Sequence, residues 1–192
     1  QKASDKLRVT KEMVAKLVAK DSHRYTLLFC PAGVRKGLEG SEPKVREIDF
    51  YLKELCDDFP MVKFDKIDSN TGQRRDVLET FAEGEHIHQL LSMKMLDQGV
   101  DVPAIRNAIL IASAAAHREH IQRRGRVLRT SPGKYSATLF DIICLPPLSV
   151  LSKEDGMGLL RLEFRRLKEF AELSRNTSGV MEDFDEDRKS VV

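Results

Sequence analysis

The chain contains 192 residues, of which 41% are hydrophobic and 32% are charged, and its formal net charge is +2. No apolar stretch approaches the roughly 18–20 residues of a membrane span, and the first residues do not resemble a signal peptide. Three widely spaced cysteines argue against a disulfide framework and against a cysteine metal site. We therefore expect a cytoplasmic globular protein, with a chain long enough for one domain and a helical appendage.

Helices and strands are predicted to alternate through the first half of the chain. The hydrophobic pattern predicts a helix over residues 3–20, a strand over 25–30, a helix over 44–57, a strand over 61–67 and a helix opened by residues 70–72. The expected inward-facing residues of the second and third helices are Ile48, Tyr51, Leu52 and Leu55, and Val77, Leu78 and Phe81. Gly84 is expected to end the third helix in a left-handed conformation, and residues 31–43 are expected to form an exposed, glycine-rich loop.

The alternation continues in the second half of the chain. Strands are predicted over residues 88–92, 107–112 and 137–145, with a helix over residues 117–128 between the last two. This order predicts an α/β fold with a parallel sheet flanked by helices, in which ligands bind beyond the carboxyl ends of the strands. We expect one domain over residues 1–150, a docking helix over residues 151–175 and an acidic, disordered tail over residues 176–192.

Basic residues are concentrated between residues 118 and 134. The six cations of this stretch, with Glu119 as its one acidic residue, are Arg118, Arg123, Arg124, Arg126, Arg129 and Lys134. A local basic cluster predicts a partner that carries phosphate, either a nucleotide or a nucleic acid.

The predicted helix over residues 117–128 carries three polar side chains that share a face. Gln122 and Arg126 are four residues apart and Arg126 and Arg129 are three apart, so all three project in similar directions. Gly125 is expected to let a neighbouring backbone approach that face closely. Such a cluster suits the charge that develops on a γ-phosphate during transfer, although the charge pattern alone also fits a solvated basic helix face.

A second polar segment follows the predicted strand that ends at Ser92. Its chemistry-bearing residues are Lys94, Asp97, Gly99, Asp101 and Pro103. Ser92 can donate a hydrogen bond to a phosphate, and Gly99 permits contact between the backbone and a ligand. Taken alone, the segment equally fits an ordinary turn built from aspartate and glycine.

The pattern Gln-x-x-Gly-Arg-x-x-Arg over residues 122–129 resembles motif VI of superfamily 2 helicases, and residues 92–103 resemble motif V. Residues 27–30 look like motif IV, and residues 71–74, Thr-Gly-Gln-Arg, look like the motif that follows it. The resemblance extends from about residue 24 to residue 145 and implies a RecA-like fold. The segment over residues 162–173 is similar to a helix that follows the second motor lobe in helicases allied to excision-repair and type I or III restriction enzymes.

The resemblance implies a role for each matched residue. Arg126 and Arg129 would be arginine fingers for ATP hydrolysis. The residues that would contact ATP are Gln122, Gly99 and Asp101. Those that would hold nucleic-acid phosphates are Thr71, Arg74, Ser92 and Lys94.

The lysine-bearing, glycine-rich loop that binds ATP in such motors is absent from the 192 residues. We therefore expect the chain to be the second lobe of a longer protein and to hydrolyse ATP poorly by itself. The expected cofactor is ATP, with Mg²⁺ supplied through the first lobe, and the expected partners are that lobe and DNA, with RNA as the alternative. Gln122 stands where DEAD-box RNA helicases have histidine, which favours DNA. A non-catalytic scaffold that binds nucleic acid is the alternative function.

Overall fold

The computed structural model describes residues 3–35, 44–93, 102–111 and 129–143, together with Gly125, Val127 and twelve residues between 158 and 176. These residues fall into two compact units, one within residues 2–142 and the other within residues 143–192. In the second unit the described residues with helical backbone are Gly158, Arg161, Phe164, Arg165, Leu167, Lys168, Glu169 and Ala171. Docking of the helix over residues 151–175 stays a prediction, and the predicted tail lies, apart from Asn176, outside the described residues.

Within the described residues of the first unit, ten helices and strands surround or form a parallel sheet. In chain order they are α1 (Ala3–Ala19), β1 (Thr26–Phe29), β2 (Val34–Arg35), β3 (Val45–Arg46), α2 (Glu47–Asp58), β4 (Phe64–Ile67), α3 (Arg74–Glu83), β5 (Gln89–Ser92), β6 (Asn107–Leu110) and β7 (Thr138–Asp141). Five strands pair in the order β4-β5-β1-β6-β7, and every neighbouring pair is parallel. The predicted α/β class and parallel sheet are therefore confirmed. No helix among the described residues combines the length and the apolar character needed to cross a membrane.

The three central strands are buried at every position, because helices and loops cover a parallel sheet on both faces. One continuous core cluster joins α1 and α2 to the sheet. Its members include Val14 and Leu17 of α1, Ile48, Tyr51 and Leu55 of α2, and Leu28, Leu91 and Ile109 of the strands. Each such aliphatic side chain contributes about 1.5–3 kcal/mol when removed from water, so this cluster holds α1 and α2 against one face.

Residues 31–46 differ from the prediction. Val34–Arg35 pairs antiparallel with Val45–Arg46, so a two-stranded hairpin replaces part of the predicted loop, and α2 begins at Glu47 rather than at about residue 44. Ion pairs explain this start, because Arg35 binds Glu47 at 3.1 Å and Arg46 binds Asp49 at 2.7 Å. Both acidic partners lie in the first turn of α2, where negative charge also stabilises the helix dipole. Residues 36–43 lie outside the described residues.

The predicted starts and ends of other elements also shift by a few residues. The third helix begins at Arg74 instead of at residues 70–72, because residues 68–71 form a turn. In that turn the backbone N–H of Asn70 donates to Asp68 Oδ1 at 2.8 Å, which offers the chain an alternative to helix. The predicted end at Gly84 is confirmed, since this residue is left-handed with φ of +71°. Leu52 and Val77, both predicted to face inward, are only half-buried.

Gln89, the first residue of β5, is fully buried, and neither polar atom of its amide has a hydrogen-bond partner in the described part of the chain. A buried amide without partners costs about 1–3 kcal/mol of stability. We expect Gln89→Met, which keeps the size of the side chain, to raise the free energy of unfolding by at least about 1 kcal/mol. Thermal melting measures the gain. Gln73→Met is the control, because Gln73 is exposed and surface changes stay within about 0.5 kcal/mol. A lower melting temperature for Gln89→Met would show that the amide is satisfied.

Candidate functional site

The carboxyl ends of the parallel strands lie along one border of the sheet, which we call the carboxyl edge. Here Ser92 at the end of β5 pairs with Phe29 of β1 on one side and with Ile67 of β4 on the other. The turn that follows β4 therefore lies beside the end of β5. This arrangement brings two of the predicted nucleic-acid contacts, Thr71 and Ser92, to neighbouring strand ends.

The turn over residues 68–71 holds Thr71 in a defined position. The backbone N–H of Asp68 donates to Thr71 Oγ1 at 3.0 Å, and the backbone N–H of Thr71 donates to the carbonyl of Asp68 at 3.3 Å. The Thr71 hydroxyl in turn donates to Asp68 Oδ1 at 3.4 Å. The hydroxyl of Thr71 is half-buried and is oriented by the backbone and side chain of one aspartate.

Arg74 follows this turn as the first residue of α3, and it is half-buried. The residue before it, Gln73, makes no side-chain hydrogen bond to the start of the helix. The first N–H groups of a helix lack partners within the helix and carry partial positive charge. The amino end of α3 thus combines those N–H groups with the Arg74 guanidinium, a set of donors that suits an anion such as a phosphate, and the Thr71 hydroxyl lies beside them.

An ion-pair network supports the same turn from the hairpin side. Arg46 Nη1 lies 2.8 Å from Asp68 Oδ2, and the same guanidinium and the ammonium of Lys66 both bind Asp49. Burial alone would raise the pKa of Asp68, but the N–H of Asn70 and the charges of Arg46 and Lys66 hold it below the ordinary value. The hydrogen bond from Arg46 likewise lowers the pKa of Asp49. Both carboxylates remain ionised at neutral pH, so the turn keeps its ionic support.

Ser92 and Lys94 differ in what the structure shows. Ser92 is 2% exposed, and its carbonyl accepts a hydrogen bond from the N–H of Cys30 at 2.7 Å. Its side chain is thus covered by protein rather than open to a ligand. Lys94, and also Gly99 and Asp101 of the predicted ATP-contacting set, lie outside the described residues.

The end of the arginine-bearing helix is described in part. Gly125 and Val127 have helical backbone, Val127 is fully buried and Arg129 is exposed. Gln122 and Arg126 lie outside the described residues. Gly125 is exposed, and among the described residues no atom lies within 4 Å of a Cβ atom built at this position. The expectation that Gly125 admits a neighbouring backbone therefore stays a prediction.

Lys134 is a residue whose role the sequence pattern missed. It was counted only as one cation of the basic cluster, but its ammonium donates to three backbone carbonyls, those of Pro103, Val127 and Arg129, at 3.1, 2.6 and 2.8 Å. The sequence signal that could have identified it is Pro132-Gly133 directly before the lysine, because a turn there directs the next side chain back to the helix end.

The described histidines and cysteines do not form a reactive or metal-binding cluster. In the parts of the chain that are described, no three His, Cys, Asp or Glu side chains are placed to hold a metal ion. His88, predicted to lie in a strand, precedes β5; its Nδ1 accepts the N–H of Lys63 at 3.2 Å, and burial lowers its pKa. Burial also raises the pKa of the Cys30 thiol, so this cysteine stays protonated. His117, His120 and Cys144 lie outside the described residues.

Comparison with known proteins identifies the family. Residues 9–131, more than half of the chain, match the family described as the helicase conserved C-terminal domain. Among solved structures, the C-terminal part of the Fun30 ATPase domain superposes with a TM-score of 0.57 at 14% identity, covering 82% of this chain and 44% of that one. Domain 2 of the DEAD-box helicase Mss116p, solved with an RNA duplex, superposes with a TM-score of 0.55 at 17% identity. The match covers 80% of this chain and 56% of that one. These likenesses show a RecA-like fold.

Two sequence relatives match shorter stretches. A protein of the Sulfolobus islandicus filamentous virus (isolate Iceland/Hveragerdi), provisionally named helicase 22, is 27% identical over 92 residues, which are 48% of this chain and 16% of the viral protein. The DNA 3'-5' translocase XPB2 of Sulfurisphaera tokodaii is 35% identical over 57 residues, which are 30% of this chain and 13% of the translocase. The chain thus spans less than a fifth of either relative. The family match shows that this protein belongs to the helicase conserved C-terminal domain family, and the five-stranded parallel sheet gives it the RecA-like α/β fold of its structural neighbours.

Proposed function

We propose that the chain is the second motor lobe of an ATP-dependent DNA helicase or translocase. It would act with a first lobe that carries the phosphate-binding lysine loop. The two-lobe polypeptide is this chain joined to that first lobe. The main support is the set of phosphate-suited donors at the carboxyl edge, where Thr71, Arg74 and the amino end of α3 lie together. Family membership supports the coupling of such a set to ATP turnover.

Within this proposal, Arg126 and Arg129 are the arginine fingers. The burial of Val127 and the exposure of Arg129 support this assignment, because they give the end of the helix one side in the core and one side open to a partner. A guanidinium forms paired hydrogen bonds with phosphate oxygens, and it stabilises the charge that builds up during phosphoryl transfer. Gln122, Gly99 and Asp101 complete the proposed contacts to ATP, and Mg²⁺ would be held with ATP by the first lobe.

The proposed nucleic-acid track runs along the carboxyl edge. Arg74 and the first N–H groups of α3 supply positive charge to backbone phosphates, and the Thr71 hydroxyl would exchange its hydrogen bond to Asp68 Oδ1 for one to a phosphate oxygen. The turn is stabilised by the ion pair between Arg46 and Asp68 and by the hydrogen bond from the N–H of Asn70 to Asp68. Lys94 would extend the track beyond β5, and the burial of Ser92 makes it a weaker contact than Thr71. Closure of the two lobes on ATP and their opening after hydrolysis would move the track along a strand.

DNA is the proposed track for two reasons. Gln122 stands where DEAD-box RNA helicases carry histidine, and one relative is named as a DNA translocase. The structural neighbour Mss116p is solved with RNA, so RNA is the outcome that would correct this part of the proposal.

Arg74→Gln tests the track, with the neighbouring Arg75→Gln as a matched control. Arg75 is exposed and pairs with Glu79 at 2.7 Å, so both variants remove one charge from the same turn of helix. We expect Arg74→Gln to weaken nucleic-acid binding about 5- to 10-fold and to reduce the slope of log affinity against log salt by about 1. Arg75→Gln should change the affinity less than about twofold.

The measurement is fluorescence anisotropy of the two-lobe polypeptide with labelled single-stranded DNA, duplex DNA and RNA of one sequence, at several salt concentrations. Equal weakening by both variants would mean that general attraction, rather than a site at Arg74, binds the phosphates. Tighter binding of RNA than of either DNA would make RNA the track.

A further inference from the structure

The ammonium of Lys134 joins two separate segments of the lobe. It donates to the carbonyls of Val127 and Arg129, at the end of the arginine-bearing helix, and to the carbonyl of Pro103, which precedes β6. Pro103 closes the segment that contains Gly99 and Asp101. The side chain of Lys134 thus links the two proposed ATP-contacting segments by hydrogen bonds: it contacts the end of the arginine-bearing helix and the end of the segment that contains Gly99 and Asp101.

A lysine is well suited to this position. The last carbonyl groups of a helix have no partners within it, and they carry the negative end of the helix dipole. A cation satisfies both needs, and hydrogen bonds that it donates are stronger than those between neutral groups. An ammonium carries three donors around one point of charge, which matches three carbonyls that converge from two directions.

A tight turn over residues 131–134 places the lysine. The backbone N–H of Lys134 donates to the carbonyl of Ser131 at 3.0 Å, and Gly133 is left-handed with φ of +73°. The turn reverses the chain directly after the helix, so that the side chain of Lys134 reaches back to the carbonyls that the helix leaves open. Lys134 is half-buried and is therefore not a mobile surface lysine.

We propose that Lys134 is a positioning residue for ATP turnover: by bonding Val127, Arg129 and Pro103 it sets the arginine fingers relative to the segment that carries Gly99 and Asp101. This inference rests on the proposed function of Arg126 and Arg129. Lys134 itself does not touch the nucleotide in this scheme. Because catalytic groups lose about a hundredfold in rate when they are misplaced by about 1 Å, loss of the three bonds would slow the chemical step more than it would weaken ATP binding.

The test compares Lys134→Met, Lys134→Arg and Lys63→Met in the two-lobe polypeptide. Lys63 is the matched control, because its ammonium also donates to a backbone carbonyl, that of Glu85 at 2.8 Å, and Glu85 belongs to neither ATP-contacting segment. We expect Lys134→Met to lower kcat for nucleic-acid-stimulated ATP turnover at least about 10-fold while KM for ATP changes less than about threefold. Lys134→Arg, which keeps the charge and several donors, should restore part of the rate, and Lys63→Met should match the unmodified protein.

A double variant separates positioning from a general loss of structure. If Lys134 acts through the fingers, Lys134→Met should slow Arg129→Ala by a smaller factor than it slows the unmodified protein, since the position of one of the two fingers no longer matters. Thermal melting of each variant ensures that all rates are compared among folded proteins. Should Lys134→Met fail to fold, the comparison of Lys134→Arg with and without Arg129→Ala supplies the same test.

Three results would overturn the inference. Additive losses in the double variant would assign Lys134 a role independent of the fingers, and a rate for Lys134→Met within twofold of the unmodified protein would assign it none. In both cases a slow Arg129→Ala variant leaves the proposed function standing. If Arg129→Ala itself turns over ATP at the unmodified rate, the finger assignment of Arg129 is wrong and the inference falls with it.

Discussion

Replacing Arg126 by alanine is expected to lower ATP turnover by the two-lobe polypeptide about a thousandfold or more. An arginine finger stabilises charge that is present mainly in the transition state, and its loss costs roughly 10³–10⁵ in rate, about 4–7 kcal/mol. We expect KM for ATP to change much less than kcat, because the ground-state complex depends mainly on the first lobe. Arg129→Ala should act in the same direction.

Steady-state ATP hydrolysis measures this effect with single-stranded DNA, duplex DNA, RNA or no nucleic acid. Arg126→Lys keeps the charge but loses the planar fork, so it should remain strongly impaired. Arg75→Ala, at an exposed position on α3, is the control and should retain full turnover. A stimulated, unmodified rate in Arg126→Ala would remove this residue from the chemistry. Absence of turnover from the unmodified two-lobe polypeptide would favour the non-catalytic scaffold, and the 192-residue chain alone is expected to show no robust turnover.

Gly84→Ala is expected to destabilise the lobe by about 2–5 kcal/mol. Two costs add at this position. The left-handed backbone, with φ of +71°, is unfavourable for alanine by about 1–2 kcal/mol. A Cβ atom would also lie 2.6 Å from Cε1 of Tyr25, and relieving such overpacking costs about 1–3 kcal/mol. Tyr25 is held in place, because its hydroxyl donates to the carbonyl of Glu83 at 3.1 Å.

Thermal melting of three glycine variants separates these costs. Gly133→Ala has the same backbone penalty, with φ of +73°, but no atom of the described residues lies within 4 Å of the new Cβ, so it should lose only about 1–2 kcal/mol. Gly72→Ala has open space around the new Cβ atom and should stay within about 0.5 kcal/mol. For a chain of this size we expect the melting temperature of Gly84→Ala to fall by roughly 5–15 °C. A melting temperature for Gly84→Ala equal to that of Gly133→Ala would show that Tyr25 moves aside without cost.

The parts of the fold that the sequence predicted are those governed by local pattern. The strands β1, β5 and β6 each contain two or three consecutive apolar residues, because they are buried on both sides, and such runs are visible in the sequence. Gly84 was predicted as a left-handed helix end for an equally local reason, since only glycine adopts that backbone without cost. The fold class followed from the alternation of strands and helices and the family from the resemblance of the motifs, and both are confirmed.

The structure corrected the features that depend on residues distant in the chain. Val34–Arg35 pairs with Val45–Arg46 across the intervening residues, so the hairpin and the late start of α2 depend on a pairing that no local window contains. The third helix, α3, begins later than predicted because a turn at Asp68 precedes it. Arg46 of the hairpin stabilises that turn by an ion pair with Asp68. The covering of Ser92 follows from its position in β5, beside both β1 and β4.

The amino-acid sequence by itself determined the order of the elements, the central strands and the residues that could serve phosphate chemistry, because each of these depends on periodicity, on backbone preference or on short-range spacing. Tertiary structure decided which of those residues meet. Thr71 and Arg74 lie together at the start of α3, Ser92 is withdrawn from solvent, and Lys134 bonds Pro103 to the helix end 24 residues farther along, at Val127. Such contacts join residues that are far apart in the chain, so they depend on the tertiary fold. No periodic pattern in the sequence indicates them.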